Sequence, residues 1–272
     1  MRYRTDHDFH IHSQLSSCSG DPAQTTEYLL SMAEKHGFDK ICLTDHFWDE
    51  TIPGASKWYA PQNYAHICQA KPLPQSDKVR FYFGCETDMD QFFTVGISPE
   101  RMDEMDFIII PTTHLHMMGF TLDEKDDALP CRARLFVERF DKLLDMDLPF
   151  EKIGLAHITC SLMAKPLEPG KWRHLDLLDM ISDAELERLF TRAAQKKMGI
   201  ELNFPPEAYT EQDLERLLRP YRLAKKCGCK FYFGSDAHHP AETEGSKKRF
   251  ERIVDLLGLQ EEDKFSFAFL NK

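Results

Sequence analysis

The sequence predicts an α/β protein with a mainly parallel sheet, in which seven strand-helix units close as a barrel one unit short of eight. Three observations carry this. Short runs rich in β-branched and aromatic residues alternate with stretches of helical periodicity along the 272 residues. Those runs repeatedly end in histidine or a carboxylate. The stretch Phe81-Tyr82-Phe83-Gly84-Cys85-Glu86 is echoed by Phe231-Tyr232-Phe233-Gly234-Ser235-Asp236, so two buried strands each deliver an acid two residues past a glycine. No shift in composition marks a second domain, and residues 1–272 read as one.

In chain order, Asp8-Phe9-His10-Ile11-His12 reads as the first strand, with both histidines on one face because successive side chains alternate. Asp21-Pro22 predicts a helix start, Leu29, Leu30, Met32 and Ala33 an apolar face, and Gly37 its end. Lys40 to Thr44 is a buried strand that hands on Asp45-His46. Residues 47 to 78 form a long aromatic-rich connection holding Trp48, Trp58 and Tyr59, with a short helix expected over Asn63 to Ala70. Strands follow at Val79 to Gly84, ending in Cys85-Glu86, and at Asp106 to Ile110, ending in the segment with His114 and His116. A loop with Arg132 and Arg134 then leads to a helix over Leu135 to Leu144, and the strand Lys152 to Ala156 ends in His157. Ser182 to Glu185 is a capping box opening a helix up to Gly199. Ile200 to Asn203 is a strand, and a helix from about Thr210, kinked at Pro220, ends at Gly228. Lys230 to Gly234 delivers Asp236-Ala237-His238, a helix spans Gly245 to Leu257, and Phe265 to Leu270 is expected as a last strand.

Composition narrows the function. A formal net charge of −11 argues against a surface made for nucleic-acid phosphates or an anionic membrane. Arg2, Arg4 and Asp6 interrupt any opening apolar run, and no run approaches the roughly 20 residues of a membrane span, so a cytoplasmic location is expected. The eight cysteines have no repeated spacing and read as reduced, small apolar residues.

In parallel α/β barrels the side chains that converge are those at the C-terminal ends of strands. Here those ends carry His10, His12, His46, Glu86, His114, His157, Asp236 and His238, with His116 an alternative to His114. Singly, His46 or His157 could be a core histidine, but their joint placement points to metal ligation. Six histidines and two carboxylates exceed the four to six donors that one ion takes, which implies a cluster of two or three. His7, His36, His66, His174 and His239 lack that placement and read as structural or surface residues.

Taken in order, the His-x-His opening, Thr44-Asp45-His46, the isolated Glu86 and the closing Ser235-Asp236-Ala237-His238 resemble the PHP (polymerase and histidinol phosphatase) superfamily. The resemblance spans nearly the whole chain. It implies a distorted (β/α)7, TIM-like barrel, a di- or trinuclear centre of zinc, manganese or iron, and phosphoesterase activity of the histidinol phosphatase kind. Carried over to these positions, one ion takes His10, His12, Glu86 and Asp236; a second shares Glu86 and adds His114 and His157; a third takes His46 and His238. Members of that kind often place a third N-terminal histidine where this chain has Cys18, whose thiolate would favour softer ions. Asp21 is the substitute.

The expected reaction is hydrolysis of a small phosphate monoester, with a hydroxide bridging two ions attacking phosphorus in line. Three divalent ions would outweigh Glu86, Asp236 and a Cys18 thiolate, leaving a cationic pocket in an acidic protein. Arg132 and Arg134, or Lys171 and Arg173, are candidates to grip the phosphate. The competing readings are a phosphodiesterase or exonuclease, which the net charge disfavours, an amidohydrolase-like C–N hydrolase, and a metal-binding module without catalysis. Against that module, a charged cluster kept without function would only add desolvation cost.

Overall fold

The computed structural model describes residues 1–166, 168 and 171–271. Its strands are β1 (His7–Ile11), β2 (Lys40–Leu43), β3 (Arg80–Phe83), β4 (Cys85–Glu86), β5 (Ile108–Pro111), β6 (Ile153–Ala156), β7 (Gly199–Leu202) and β8 (Lys230–Phe233). All pair in parallel, in the orders β1-β2-β3 and β4-β5-β6-β7-β8. The two runs are one barrel. β3 and β4 are a single strand broken at Gly84, where an added Cβ would lie 2.2 Å from the Phe107 carbonyl oxygen. At the other seam Asp236 N–H donates to the His10 carbonyl at 2.7 Å and His12 N–H to that of Ala237 at 3.1 Å. The expected seven strand positions are therefore present, closed and distorted at the break.

Strand alternation sorts the side chains. Ile41, Leu43, Ile108, Ile110, Leu155, Ile200, Leu202 and Phe233 join the outer core under the helices. Phe9, Cys42, Phe107, Ile109, Ala156 and Tyr232 fill the interior. The segment after residue 264 is not a last strand, its pairing with β8 being a lone parallel bridge between Lys264 and Phe231. Instead Phe265 N–H caps the Phe231 carbonyl at 2.7 Å, a short 3-10 turn covers Ala268–Asn271, and the tilted rings of Phe267 and Phe9 pack with centroids 4.1 Å apart. These aromatics plug the barrel at the N-terminal ends of its strands, where each buried ring contributes about 1.5–3 kcal/mol.

The helices are α1 (Thr26–His36), α2 (Tyr64–Ile67), α3 (Pro99–Glu104), α4 (Leu129–Asp145), α5 (Arg173–Asp179), α6 (Asp183–Gln195), α7 (Glu211–Lys226) and α8 (Pro240–Leu257). Several depart from expectation. Asp21 caps a local turn by accepting from Ala23 N–H, and α1 starts later, capped by Thr25. α4 begins at Leu129 with Pro130 in its first turn, so Arg132 and Arg134 are helical residues and not loop residues. α8 starts at Pro240, and α7 runs on through Pro220. Among the described residues, no helix is long and apolar enough to cross a membrane.

Candidate metal centre

Three groups of potential ligands meet at the C-terminal mouth of the barrel: His10, His12, Glu86 and Asp236; Glu86, His114 and His157; and His12, His46 and His238. Their donor atoms lie within 4.8 Å of one another in each group. Glu86 is the hub. Its Oε2 sits 3.3 Å from Nε2 of both His10 and His12 and 3.1 Å from His46 Nδ1, while its Oε1 sits 3.2 Å from His157 Nε2 and 3.9 Å from His114 Nε2. Asp236 Oδ1 is 3.2 Å from His12 Nε2 and 3.4 Å from His10 Nε2. Two donors about 2.0–2.2 Å from a tetrahedral ion are themselves roughly 3.3–3.5 Å apart, so this spacing fits divalent cations.

The rings are held in the tautomers that ligation needs. His10 Nδ1–H donates to Glu201 Oε1 at 2.6 Å, His114 Nδ1–H to Asp88 Oδ2 at 3.0 Å, and His238 Nδ1–H to the Asp236 carbonyl at 2.8 Å. These partners only accept, so Nδ1 keeps its proton and Nε2 is the nitrogen each ring turns toward the centre and frees for an ion when its own proton leaves. Ser16 gives its proton to Asp45 and accepts from His12 Nδ1 at 3.0 Å, with the same result. His157 Nδ1 is 2.9 Å from the Thr113 hydroxyl. His46 is the exception: its buried Nδ1 has no hydrogen-bond partner and faces Glu86, an orphan that a cation would satisfy.

Charge is arranged to match. Burial opposes ionisation of Glu86 and Asp236, yet the surrounding imidazoles hold both well below the usual carboxylate range. Burial likewise opposes a proton on His10, His12 and His114, and nearby carboxylates overcome it. His46 is pushed well below the usual imidazole value, by burial first and then by His12 and His238. The centre is thus an anionic well that holds protons where cations would displace them.

Strain marks two of the residues in these groups. His157 and Asp236 have φ of 29° and 53°, a region that side chains other than glycine seldom occupy, and such outliers gather at functional sites.

Of the sequence candidates, the structure brings together His10, His12, His46, Glu86, His114, His157, Asp236 and His238. Cys18 lines the same cleft without joining a ligand group, as does His116, whose pKa burial and His114 lower to about 4. Asp21 lies 4.0 Å from His239 and belongs to none of the three groups. The four suggested phosphate grips do not line the cleft. Arg132 is buried, pairs with Asp127 and donates to the carbonyls of Leu115 and Met163; Arg134 pairs with Asp126 at 3.0 Å; Lys171 pairs with Glu168 at 3.0 Å; Arg173 donates to the Lys165 carbonyl at 3.5 Å. Glu201, Asp88, Arg139 and Ser16 were missed. Glu201 had a signal, an acid alternating inward between Ile200 and Leu202 of a buried strand.

The cleft above the centre has a volume of about 480 Å³. Its floor holds His46, Glu86, His114, Asp236 and His238, and its walls include Trp58, Tyr59, Met117 and Leu162.

Comparison with known proteins adds three findings. The family model described as PHP domain matches residues 8–203. Histidinol phosphate phosphatase from Lactococcus lactis subsp. lactis Il1403, solved with zinc, L-histidinol and phosphate, superposes with a TM-score of 0.58 over 96% of this chain and 98% of that one. At 17% identity this is a likeness of fold. A triazine hydrolase variant matches 84% of this chain and 52% of its own at 10% identity, with a TM-score of 0.39 that is too low to build on. Among curated proteins, none matches the chain in sequence.

Proposed function

The chain belongs to the PHP domain family, and from that premise we propose that it is a metal-dependent phosphoesterase that hydrolyses a small phosphate monoester. The observation that carries the reading is the sharing of Glu86 between two ligand groups, one on each carboxylate oxygen, at the floor of an open cleft. His10, His12, Glu86 and Asp236 would hold one ion, Glu86, His114 and His157 a second, and His46 and His238 a third with Cys18.

Zinc, manganese or iron ions bound there supply Lewis acidity toward phosphoryl oxygens and a water-derived nucleophile of lowered pKa. The protein's part is positional. Glu201, Asp88 and Ser16 keep His10, His114 and His12 aimed, and the barrel fixes the spacing. Arg139, fully buried, donates to Asp88 Oδ1 at 3.2 Å and to the Met89 carbonyl at 2.7 Å, so the acid behind His114 is itself clamped. The third ion has a specific need. The single lone pair of His12 Nε2 serves the first group, which leaves His46, His238 and the thiol of Cys18 on the adjoining wall.

The test is metal analysis of protein purified without added metal, followed by a panel of phosphate monoesters, diesters and amides with each ion restored in turn. Histidinol phosphate belongs in the panel because the L. lactis structure carries histidinol and phosphate. Monoesters should be preferred, and Glu86→Gln should lower metal content and turnover together. Preference for diesters or amides, or unchanged metal stoichiometry in that variant, would overturn the reading.

A further inference from the structure

The walls of the cleft say something about the alcohol half of the substrate. Trp58 is the large side chain left open there, 36% exposed, and it comes from the long connection after β2. Its ring stands edge-on to His46, with centroids 4.9 Å apart, and edge-on to Tyr59 at 4.7 Å, so the indole is fixed beside the ligand groups. Met117 and Leu162 supply further apolar wall, from the segments that follow β5 and β6. An indole left partly open in a cleft that it shares with a methionine and a leucine presents an apolar face that suits a flat apolar partner.

The polar side of the cleft points the same way. The lining carboxylates are Glu86 and Asp236, both of them in the ligand groups, and Tyr59 donates its hydroxyl to Asp88 at 3.4 Å. Among the described lining residues no acid is left over to pair with an ammonium or imidazolium on the substrate, and a buried unpaired cation is costly.

Resting on the phosphomonoesterase reading above, we propose that the alcohol portion of the substrate is uncharged and flat, an aromatic ring in the simplest case, seated against Trp58, Met117 and Leu162. The phosphate then lies over the ligand groups, and the ring takes the apolar wall.

Benzyl phosphate, glycerol 1-phosphate and histidinol phosphate separate the possibilities, since all three release primary alcohols while the group carried is aromatic, neutral polar or cationic. With the metal-loaded protein, kcat/KM for benzyl phosphate should exceed the other two by about tenfold or more, as one well-filled apolar pocket allows. Trp58→Ala should reduce kcat/KM for benzyl phosphate about tenfold more than for glycerol 1-phosphate, and Trp58→Phe should restore most of that difference. Equal values for benzyl and glycerol esters, a preference for histidinol phosphate, or an equal loss on all three in Trp58→Ala would overturn the proposal. If no phosphate ester is cleaved, the phosphomonoesterase reading fails on its own. Calorimetric titration with benzylphosphonate and methylphosphonate then decides the present point: tighter binding of benzylphosphonate, lost in Trp58→Ala, sustains an aromatic subsite, and equal binding refutes it.

Discussion

Replacing Glu201 by glutamine tests whether the ligand histidines are aimed from behind. Glu201 is fully buried, and each of its oxygens has its own donor: Oε1 takes His10 Nδ1–H and Oε2 takes the His157 backbone N–H, both at 2.6 Å. Glutamine offers one acceptor and one donor group in the same space. If its oxygen stays on the His157 amide, its NH₂ faces His10 Nδ1 and favours the tautomer with the proton on Nε2, which removes the lone pair meant for the ion. If it flips, the buried His157 amide loses its partner, at a cost of about 1–3 kcal/mol. Loss of such outer partners typically lowers metal affinity about 10- to 100-fold. Competition against a chelator of known affinity should show that drop in Glu201→Gln. The same change made in a His10→Ala background should show much less of it, because the pathway through His10 is already gone. Wild-type affinity in the single variant, or an undiminished effect in the double one, would refute the aiming role.

Three further outcomes follow from the geometry. Gly234→Ala should weaken metal binding and cost about 1–3 kcal/mol in thermal unfolding, because the new Cβ would lie 1.9 Å from Glu201 Oε1 and 2.4 Å from His10 Cβ; an unchanged melting point would speak against it. Carboxylates raise His10, His12 and His114 in the metal-free fold, so their stabilisation is complete below the unfolded imidazole value of about 6.5 and is lost as pH climbs through the raised values. Ions compete with those same protons, so the melting-point difference between metal-loaded and chelated protein should widen from about pH 6 to about pH 8, and a constant difference would contradict the assignment. Cys18→Ala should lose about one ion per chain by ligand count while Cys18→His keeps it, as read by elemental analysis; full metal content in the alanine variant would leave the cysteine a wall residue.

The residues that meet at the mouth of the barrel were legible because they sit at a predictable address. A strand rich in Ile, Phe or Val that stops at His or Asp announces both its end and its cargo, and the Phe-Tyr-Phe-Gly echo placed Glu86 and Asp236 at matching ends of two barrel strands. What lay behind them was less legible, because Asp88, Arg139 and Thr113 acquire meaning only from partners 26 to 51 residues away. The candidate phosphate grips lie away from the cleft for a reason that the sequence hid. α4 opens at Ala128 with no side-chain cap, so its start carried no Ser, Thr or Asp signal, and Arg132 was read as loop when it is the clamp between Leu115 and Met163. α5 was missed in the same way, its N-cap being Trp172 without a capping bond. Conversely, Asp21-Pro22 displayed the signal and used it for a turn.

The strained residues show how fold and site depend on each other. His157 and Asp236 follow β6 and β8, and a regular extended backbone would continue the pleat past the mouth of the barrel. Positive φ turns each chain inward instead, at about 1–3 kcal/mol apiece. The bonds that hold the turns are not extra. Asp236 N–H closes the barrel on the His10 carbonyl, and His157 N–H meets the same Glu201 that orients His10. Gly234 lets that acid pass beside β8, since any Cβ there would occupy its oxygen's place. The seam that shuts the barrel is therefore the seam that points the ligands, so a substitution that loosens one should disturb the other.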